Sequence, residues 1–151
     1  MKLTLLNKKK TKEILALIKN QFDAEYNFDD YAFFKSEKDK IYIINREIDK
    51  IDFSSLRIDN IGMYLAHVKD NKIRLSIEGS QLIGLFAKKN IYELNDQEAE
   101  QWIMGEDLET ENTSNEFVLI KHNNDFLGTG KIKNNKILNF VSKGRRLKIV
   151  V

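Results

Sequence analysis

The chain has 151 residues, a mass of 17.7 kDa and a formal net charge of +2, with 42% apolar and 32% charged residues. These values are typical of one globular domain or two small ones, and they exclude a disordered chain. The sequence has no cysteine and two histidines, so it excludes disulfides, zinc knuckles and a thiolate nucleophile. No apolar run approaches the roughly 18 residues of a membrane span. The N-terminal apolar stretch is short and precedes its lysines, the reverse of a signal peptide. We therefore expect a soluble cytoplasmic protein without a membrane, metal or cofactor partner.

The first half predicts a helix and two pairs of strands. Residues 8–22 place their apolar side chains on one helical stripe, with a basic opposite face. The polar turn Ser36–Asp39 separates two strand-like runs and predicts a hairpin. The strand-like runs are Tyr31–Lys35, Lys40–Asn45, Arg57–Val68 and Ile73–Ile77. The turn Lys69–Lys72 joins the last two, Ile51–Leu56 is a short turn or helix, and Glu78–Phe86 predicts a short helix.

The second half predicts one helix among short strands. Asn95 and Glu98 have capping-box spacing for a helix that runs to Met104, and Gly105 is placed to end it. The predicted strands are Asn90–Leu94, Phe117–Lys121, Phe126–Lys133, Lys136–Val141 and Leu147–Val151, with a surface loop at Glu109–Glu116 and turns at Asn123–Asp125 and Asn134–Asn135. This pattern predicts a small, mostly β barrel. The fold class is thus α+β, with an N-terminal α+β module (residues 1–84) before the barrel (residues 85–151).

Charge is distributed unevenly along the chain. Residues 93–116 contain nine acidic side chains and no basic one, whereas residues 127–151 contain seven basic side chains and no acidic one. The basic residues of this tail are Lys131, Lys133, Lys136, Lys143, Arg145, Arg146 and Lys148. A basic stripe on a β surface is typical of a phosphate-binding site. The alternative is a solvated face that the acidic helix neutralises within the molecule.

Two glycine-containing motifs lie among these cations. Lys143-Gly144-Arg145-Arg146 combines close backbone approach with two planar guanidinium groups, which suit phosphates and base edges. Gly128-Thr129-Gly130-Lys131 places two glycines in a strand, which marks either a close backbone approach or a barrel corner. The second motif is not a phosphate loop, because its spacing is too short and no helix follows it.

The strand NIYEL, the helix NDQEAEQWIMG, and the ending FLGTGKIKNNKILNFVSKGRRL together resemble a known family. They are similar to the PUA domain, an RNA-binding barrel, in the form found at the C-terminus of Sun/Nop-type ribosomal RNA cytosine-5 methyltransferases. The resemblance covers residues 85–151, and small archaeal stand-alone proteins related to ribosome biogenesis also resemble most of the chain. It implies an RNA groove formed by the helix, the loop after it and nearby strands.

The resemblance implies the following RNA-binding residues: Gly105, Leu108, Gly128, Gly130, Lys131, Lys143, Arg145 and Arg146. Glu106 and Asp107 lie in the same loop and would repel phosphate unless their carboxylates point away or cap the backbone. Among the remaining residues we expect His67 to be partly buried, His122 to lie at the surface, and Trp102, Phe126 and Phe140 to lie in the core.

We predict a non-catalytic RNA-binding protein that acts on ribosomal or transfer RNA in ribosome biogenesis or RNA modification. No cysteine is present to attack a pyrimidine ring, and no glycine-rich strand-to-helix loop is present for a methyl-donor nucleotide. The alternative is an adaptor whose acidic helix region binds a methyltransferase, another modification enzyme or a basic ribosomal protein. A small enzyme that uses carboxylate pairs such as Asp29–Asp30 or Glu106–Asp107 is a third hypothesis.

Overall fold

The computed structural model of the chain describes residues 2–46 and 62–146. The predicted turn Ile51–Leu56, the start of the run Arg57–Val68 and the predicted last strand Leu147–Val151 lie outside the described residues. Helices and two five-stranded sheets make up the described part of the chain, which is therefore α+β.

The first sheet contains five antiparallel strands in chain order. Its strands are β1 (Leu3–Leu5), β2 (Tyr31–Ser36), β3 (Lys40–Asn45), β4 (Met63–Lys69) and β5 (Lys72–Leu75). Helix α1 (Lys8–Phe22) packs on it and buries Ile14, Ile18 and Phe22, which are spaced at i, i+4 and i+8. The Asn7 side chain accepts from the Lys10 backbone N–H at 2.9 Å and so begins this helix. The predicted helix over residues 8–22 is confirmed.

A short helix connects the two sheets. Helix α2 (Ile77–Ile83) is followed by a 3-10 turn at Gly84–Phe86. Ser76 begins the helix, because its Oγ accepts from the Gly79 backbone N–H at 2.9 Å. The predicted strand Ile73–Ile77 is therefore wrong at its end: strand β5 stops at Leu75, and Ile77 is helical.

The second sheet has the strand order β6-β8-β9-β10-β7 and curls into a half-barrel. Its elements are β6 (Ile91–Glu93), α3 (Asp96–Ile103), β7 (Leu108–Glu109), β8 (Phe117–His122), β9 (Asp125–Lys133), β10 (Lys136–Leu138) and a 3-10 turn at Lys143–Arg145. The pair β6–β8 is parallel and the other pairs are antiparallel. The capping box of Asn95 and Glu98 is present, as predicted.

The described part of the chain has two apolar cores, and one of them contains side chains from both sheets. The core of the first sheet includes Leu119 and Phe126 from the second sheet, both buried. The ring of Phe126 lies directly against Gly84, where a Cβ atom would overlap it. A second core beneath α3 is built around Trp102, whose indole N–H donates to the Leu127 carbonyl at 2.8 Å. The boundary between residues 84 and 85 stays a prediction, since buried contacts cross it.

The outer edge of β5 is occupied by a side chain of α1. Gln21 is buried; its amide Nε2 donates to the Ile73 carbonyl at 2.9 Å, and its Oε1 accepts from the Ile73 N–H at 2.6 Å. Thr129 of the second sheet accepts from the Leu75 N–H at 3.2 Å through its Oγ1. Two side chains, rather than another strand, thus satisfy the N–H and C=O of Ile73 and the N–H of Leu75.

Candidate nucleic-acid interface

A cleft opens where the two sheets meet, and we name it the seam cleft. It has a volume of about 100 Å³. The first sheet and α2 contribute Tyr64, Arg74 and Glu78, and the region after β10 contributes Phe140 and Arg145. The cleft therefore brings two arginines, one carboxylate and two aromatic rings together from separate parts of the chain.

Hydrogen bonds across the floor of the seam cleft fix its two sides relative to each other. Ser80 is fully buried on α2, and its hydroxyl accepts from the Gly128 N–H at 2.9 Å while it donates to the Ile77 carbonyl at 2.7 Å. Gly128 has a φ of +96°, which is a backbone conformation that favours glycine. The glycine predicted to approach a ligand is therefore also the residue whose N–H joins the second sheet to α2.

Arg74 lies on one wall of the seam cleft with its guanidinium over the Phe140 ring. The distance from Arg74 Cζ to the ring centroid is 4.1 Å, which is within the range of a cation–π contact. Burial raises the pKa of the nearby Tyr64 hydroxyl above its usual value, although the charge of Arg74 opposes this change. The Tyr64 hydroxyl is therefore protonated at neutral pH and is available as a hydrogen-bond donor.

The same cation acts on a histidine of the neighbouring strand. Burial lowers the pKa of His67, and the charge of Arg74, its partner across β4 and β5, lowers it further. His67 is partly buried, as predicted. Because its pKa is lowered, His67 is neutral at pH 7 and adds no charge to this wall of the cleft.

Arg145 forms an ion pair with Glu78, the acidic residue in the first turn of α2. The Arg145 side chain is 49% exposed, and that of Glu78 is 37% exposed. An ion pair this accessible to solvent is weak and readily exchanged. Arg145 is therefore placed at the mouth of the seam cleft with its charge held by a carboxylate that a stronger anion could replace.

Arg146 lies away from the seam cleft, against the end of α3. Its Nε donates to the Val141 carbonyl at 3.0 Å, and its side chain packs over Gly105 so closely that a Cβ atom on Gly105 would overlap it. Gly105 has a φ of +92° and ends α3, as predicted. The structure thus pairs Gly105 with Arg146 in a local packing contact, separate from the cleft that holds Arg145.

Asn139 fixes the loop after α3. Its backbone N–H donates to Asp107 Oδ1 at 2.8 Å, and its side-chain amide donates to the carbonyls of Trp102 at 2.8 Å and Glu106 at 2.9 Å. The Asp107 carboxylate therefore accepts a hydrogen bond from the backbone. This is one of the two arrangements in which we expected a carboxylate of this loop not to repel a phosphate.

Two residues of the predicted RNA site have no accessible side-chain surface. Leu108 is 2% exposed in the core beneath α3. Gly130 is buried with Trp102 2.9 Å from the position of a Cβ atom, so its lack of a side chain serves core packing. Any contact of these residues with a ligand would have to use the backbone.

Three lysines share one face of the second sheet. Lys131 and Lys133 are two residues apart on β9, and Lys136 lies directly opposite Lys133 on β10. Lys131 is opposite Phe117 on β8, and its Nζ lies 4.6 Å from the centre of that ring. Lys143 is exposed beyond the end of β10. Lys131, Lys133 and Lys136 therefore form a basic surface next to the seam cleft.

Phe140 is exposed, so the prediction that it lies in the core is wrong. Phe140 is 37% exposed, and the centre of its ring lies 6.4 Å from that of the Phe117 ring. The chain leaves β10 at Leu138, because Asn139 turns inward to hold the loop after α3. Phe140 then lies at the cleft rather than on the buried face of a continued strand. Trp102 and Phe126 are buried, as predicted.

The acidic segment does not neutralise the basic tail through ion pairs in the part of the chain that the structure describes. The described ion pairs join Lys19 to Asp23 and Glu25, Lys35 to Asp39, His122 to Asp96, and Arg145 to Glu78. The His122 side chain, 23% exposed and so partly buried rather than at the surface, contacts Asp96 at the start of α3 at 2.7 Å. No described ion pair joins residues 93–116 to the basic tail, but Glu109 lies opposite Lys136 in the sheet, so neutralisation by the acidic segment without direct ion pairs stays an untested alternative.

Sequence reasoning missed Arg74 and Tyr64 as residues of the site. The alternation in Lys72-Ile73-Arg74-Leu75 indicates that Arg74 faces away from the first core. The pattern contains no information on which element of the second half lies opposite that face. The two glycine-containing motifs of the second half give no indication that the first sheet takes part in the site. This wall of the cleft could therefore be identified only from the tertiary structure.

Two absences apply to residues 2–46 and 62–146. No helix there is long and apolar enough to cross a membrane. No group of three or more histidine, aspartate or glutamate side chains is placed there to hold a metal ion.

The comparison with family models identifies the second half. Residues 89–147 match the Methyltransferase RsmF PUA domain, a segment that contains α3, the half-barrel, the basic surface and Arg145. No curated protein matches the chain. The chain therefore contains a PUA domain that resembles the C-terminal region of Sun/RsmF-type ribosomal RNA methyltransferases.

Proposed function

We propose that the protein is a non-catalytic RNA-binding protein that acts on ribosomal or transfer RNA in ribosome biogenesis or RNA modification. The seam cleft and the adjacent basic surface form the binding site. The observation that carries the proposal is the position of two cations from distant parts of the chain, Arg74 of the first sheet and Arg145 of the turn after β10, in one cleft beside the PUA half-barrel.

The mechanism is positioning. Lys131, Lys133, Lys143 and Arg145 neutralise phosphates, and the cleft between the sheets selects RNA by shape. The protonated Tyr64 hydroxyl supplies a donor inside the cleft. The chain has no cysteine that could attack C6 of a pyrimidine, so we propose that a separate enzyme performs any modification of the bound RNA.

Fluorescence anisotropy with a labelled ribosomal RNA fragment across a salt series tests the proposal. If about four phosphates are contacted, the logarithm of the affinity should fall with the logarithm of salt concentration at a slope near −3. The double variant Lys143→Ala plus Arg145→Ala should reduce the magnitude of this slope by about 1.4, since each contact to single-stranded RNA contributes about 0.7.

The choice of variant follows from the packing of the two arginines. Arg146→Ala would disturb the contact with Gly105 and the hydrogen bond to Val141, so a loss of binding could reflect a change in the loop. The matched control is Lys9→Ala plus Lys38→Ala, which removes the same charge from two exposed lysines on α1 and the β2–β3 turn. Equal slopes for both double variants would contradict the proposed site, and absence of RNA binding would contradict the function.

The adaptor hypothesis is favoured by a different surface. Leu85 is 75% exposed and Phe86 is 45% exposed in the turn after α2. These two adjacent apolar side chains offer a protein partner apolar surface to bury. A protein partner recovered with the native chain but not with Leu85→Ser plus Phe86→Ser, together with absent RNA binding, would support the adaptor.

A further inference from the structure

A row of four side chains, two aromatic rings with a cation at each end, extends from the seam cleft onto the second sheet. We name Arg74, Phe140, Phe117 and Lys131 the cation–aromatic strip. Arg74 lies 4.1 Å from the Phe140 ring centre, Phe140 lies 6.4 Å from Phe117 between ring centres, and Lys131 lies 4.6 Å from the Phe117 ring centre. The strip starts on β5 and ends on β9, so it crosses from one sheet to the other.

We propose that the cation–aromatic strip binds unpaired nucleotides, so that the protein recognises single-stranded RNA in preference to a duplex. The inference rests on the proposed function and specifies its substrate class. Proteins that bind single strands combine a basic groove for the backbone with aromatic rings on which bases stack. A base inside a duplex has both faces covered by its neighbours, so it cannot stack on a protein ring.

The exposure of the strip supports this assignment. Phe140 is 37% exposed, and Phe117 and Lys131 are half-buried. Exposed apolar surface costs free energy in water, and stacking of a base would remove that cost. The guanidinium plane of Arg74 can itself accept a base by stacking, as RNA-binding arginines do.

The charges around the strip supply the contacts to phosphate. Lys133 lies two residues from Lys131 on the same face, and Arg145 lines the cleft that Arg74 and Phe140 also line. Two carboxylates lie nearby: Glu78 is paired with Arg145, and Glu109 lies opposite Lys136 in the sheet. The strip itself contains two cations and no carboxylate, so its own charge favours a polyanion.

A stacking site has a signature that a purely electrostatic site lacks. Replacement of Phe140 by leucine keeps an apolar side chain but removes the flat ring. We expect Phe140→Leu to weaken binding of an unpaired RNA on the order of tenfold, with an unchanged salt slope. Phe140→Trp, which restores a ring, should restore the affinity.

The experiment compares three labelled probes by anisotropy: an unpaired RNA of about ten nucleotides, a blunt duplex of the same sequence, and a ribose–phosphate strand of equal length without bases. The matched control is Phe86→Leu, which makes the same change at an exposed ring that contacts Tyr26 and lies outside the strip. Thermal unfolding of each variant shows whether Phe140 also holds the two sheets together.

Tighter binding of the unpaired RNA than of the other two probes, lost in Phe140→Leu and kept in Phe86→Leu, is the result we expect. Equal binding of the unpaired RNA and the duplex, or an affinity that Phe140→Leu leaves unchanged, would contradict the proposed role of the cation–aromatic strip. Neither result would contradict RNA binding by the protein. Binding of none of the three probes would instead contradict the proposed function itself.

Discussion

The two arginines of the seam cleft differ in how their charges are used. Arg74 stacks on Phe140, and its charge also acts on Tyr64 and His67. Arg145 is half exposed and pairs with Glu78. A phosphate entering the cleft must compete with the Glu78 carboxylate for Arg145, whereas no carboxylate of residues 2–46 and 62–146 forms an ion pair with Arg74. Glu78 therefore sets how much positive charge the cleft presents.

Replacement of Glu78 by glutamine should increase RNA affinity. The substitution preserves the side-chain shape and removes the carboxylate that a phosphate must displace from Arg145, so binding should tighten while the salt slope, which already includes the Arg145 contact, stays the same. Because Glu78 lies in the first turn of α2, the free energy of unfolding should fall by roughly 0.3–1 kcal/mol. Anisotropy across a salt series and urea unfolding measure the two effects.

Glu37→Gln is the matched control for this prediction. Glu37 is exposed in the β2–β3 turn, far along the chain from the cleft. The Glu37→Gln substitution changes the net charge by the same amount as Glu78→Gln. A rise in affinity of equal size in both variants would indicate a general charge effect and would contradict a specific role for the Glu78–Arg145 pair.

At the level of single residues, the sequence predicts burial correctly where local periodicity decides it and fails where long-range contacts decide it. It correctly placed Trp102 and Phe126 in the core, because large apolar side chains in periodic segments are usually buried. It misplaced Phe140, whose exposure depends on hydrogen bonds that Asn139 makes with a loop 32 and 33 residues earlier in the chain. Such long-range bonds leave no local pattern to read.

At the level of elements, the end of α3 depends on a residue from the tail. The positive φ of Gly105 and the Arg146 side chain packed over it act together. At Gly144, only two residues from Arg146, a Cβ atom would meet no neighbouring heavy atom within 4 Å. Both glycines lie in segments predicted to contact RNA, yet their neighbourhoods differ completely.

Gly105→Ala should therefore destabilise the protein and Gly144→Ala should not. An alanine at Gly105 is strained at positive φ and displaces Arg146 from Val141, for a combined loss of about 2 kcal/mol in the free energy of unfolding. Gly144→Ala should stay within about 0.5 kcal/mol of the native chain. Urea unfolding followed by Trp102 fluorescence measures both. Similar losses in the two variants would contradict the structural role assigned to Gly105.

Local signals predicted most elements and failed at their boundaries. The capping box at Asn95 and the apolar stripe of α1 gave helices whose starts agree with the structure. Ser76 is the instructive failure: alternation of apolar residues continues to Ile77, but the Ser76 hydroxyl caps a helix and donates to the Tyr64 carbonyl at 2.5 Å. Strands β1 and β7, of three and two residues, are too short for periodicity to reveal.

At the level of the whole molecule, the shared core makes the two halves interdependent. Leu119 and Phe126 from the second sheet are buried in the core of the first, and Ser80 joins α2 to Gly128. The sequence shows no flexible linker between residues 84 and 87, and this predicts that the two halves pack together. It contains no signal that one wall of the binding cleft comes from the first sheet and the other from the second half of the chain. That arrangement depends on how the two sheets dock.

Ser80→Ala should weaken the whole molecule rather than one half. The change leaves the buried Gly128 N–H without its acceptor, at a loss of roughly 1–3 kcal/mol. Trp102 is the single tryptophan and reports on the second core, whereas far-UV circular dichroism reports on all helices and strands. Both signals should shift together in urea with coincident midpoints.

Ser142→Ala is the control, because Ser142 is exposed and makes no capping hydrogen bond with its side chain. Two separate transitions for Ser80→Ala, with the Trp102 midpoint unchanged, would show that the halves unfold independently and would contradict the coupling inferred from the core.

The side chains that cover the outer edge of β5 have a consequence for self-association. An uncovered edge strand can extend its ladder with a strand from another copy, which leads to aggregation. Gln21 and Thr129 already occupy the N–H and C=O groups of Ile73 and the N–H of Leu75, and the opposite edge, β1, spans only three residues. A strand from another copy could therefore pair with the outer edge of the strand that carries Arg74 only by displacing Gln21 and Thr129 from the hydrogen bonds that they make within this chain.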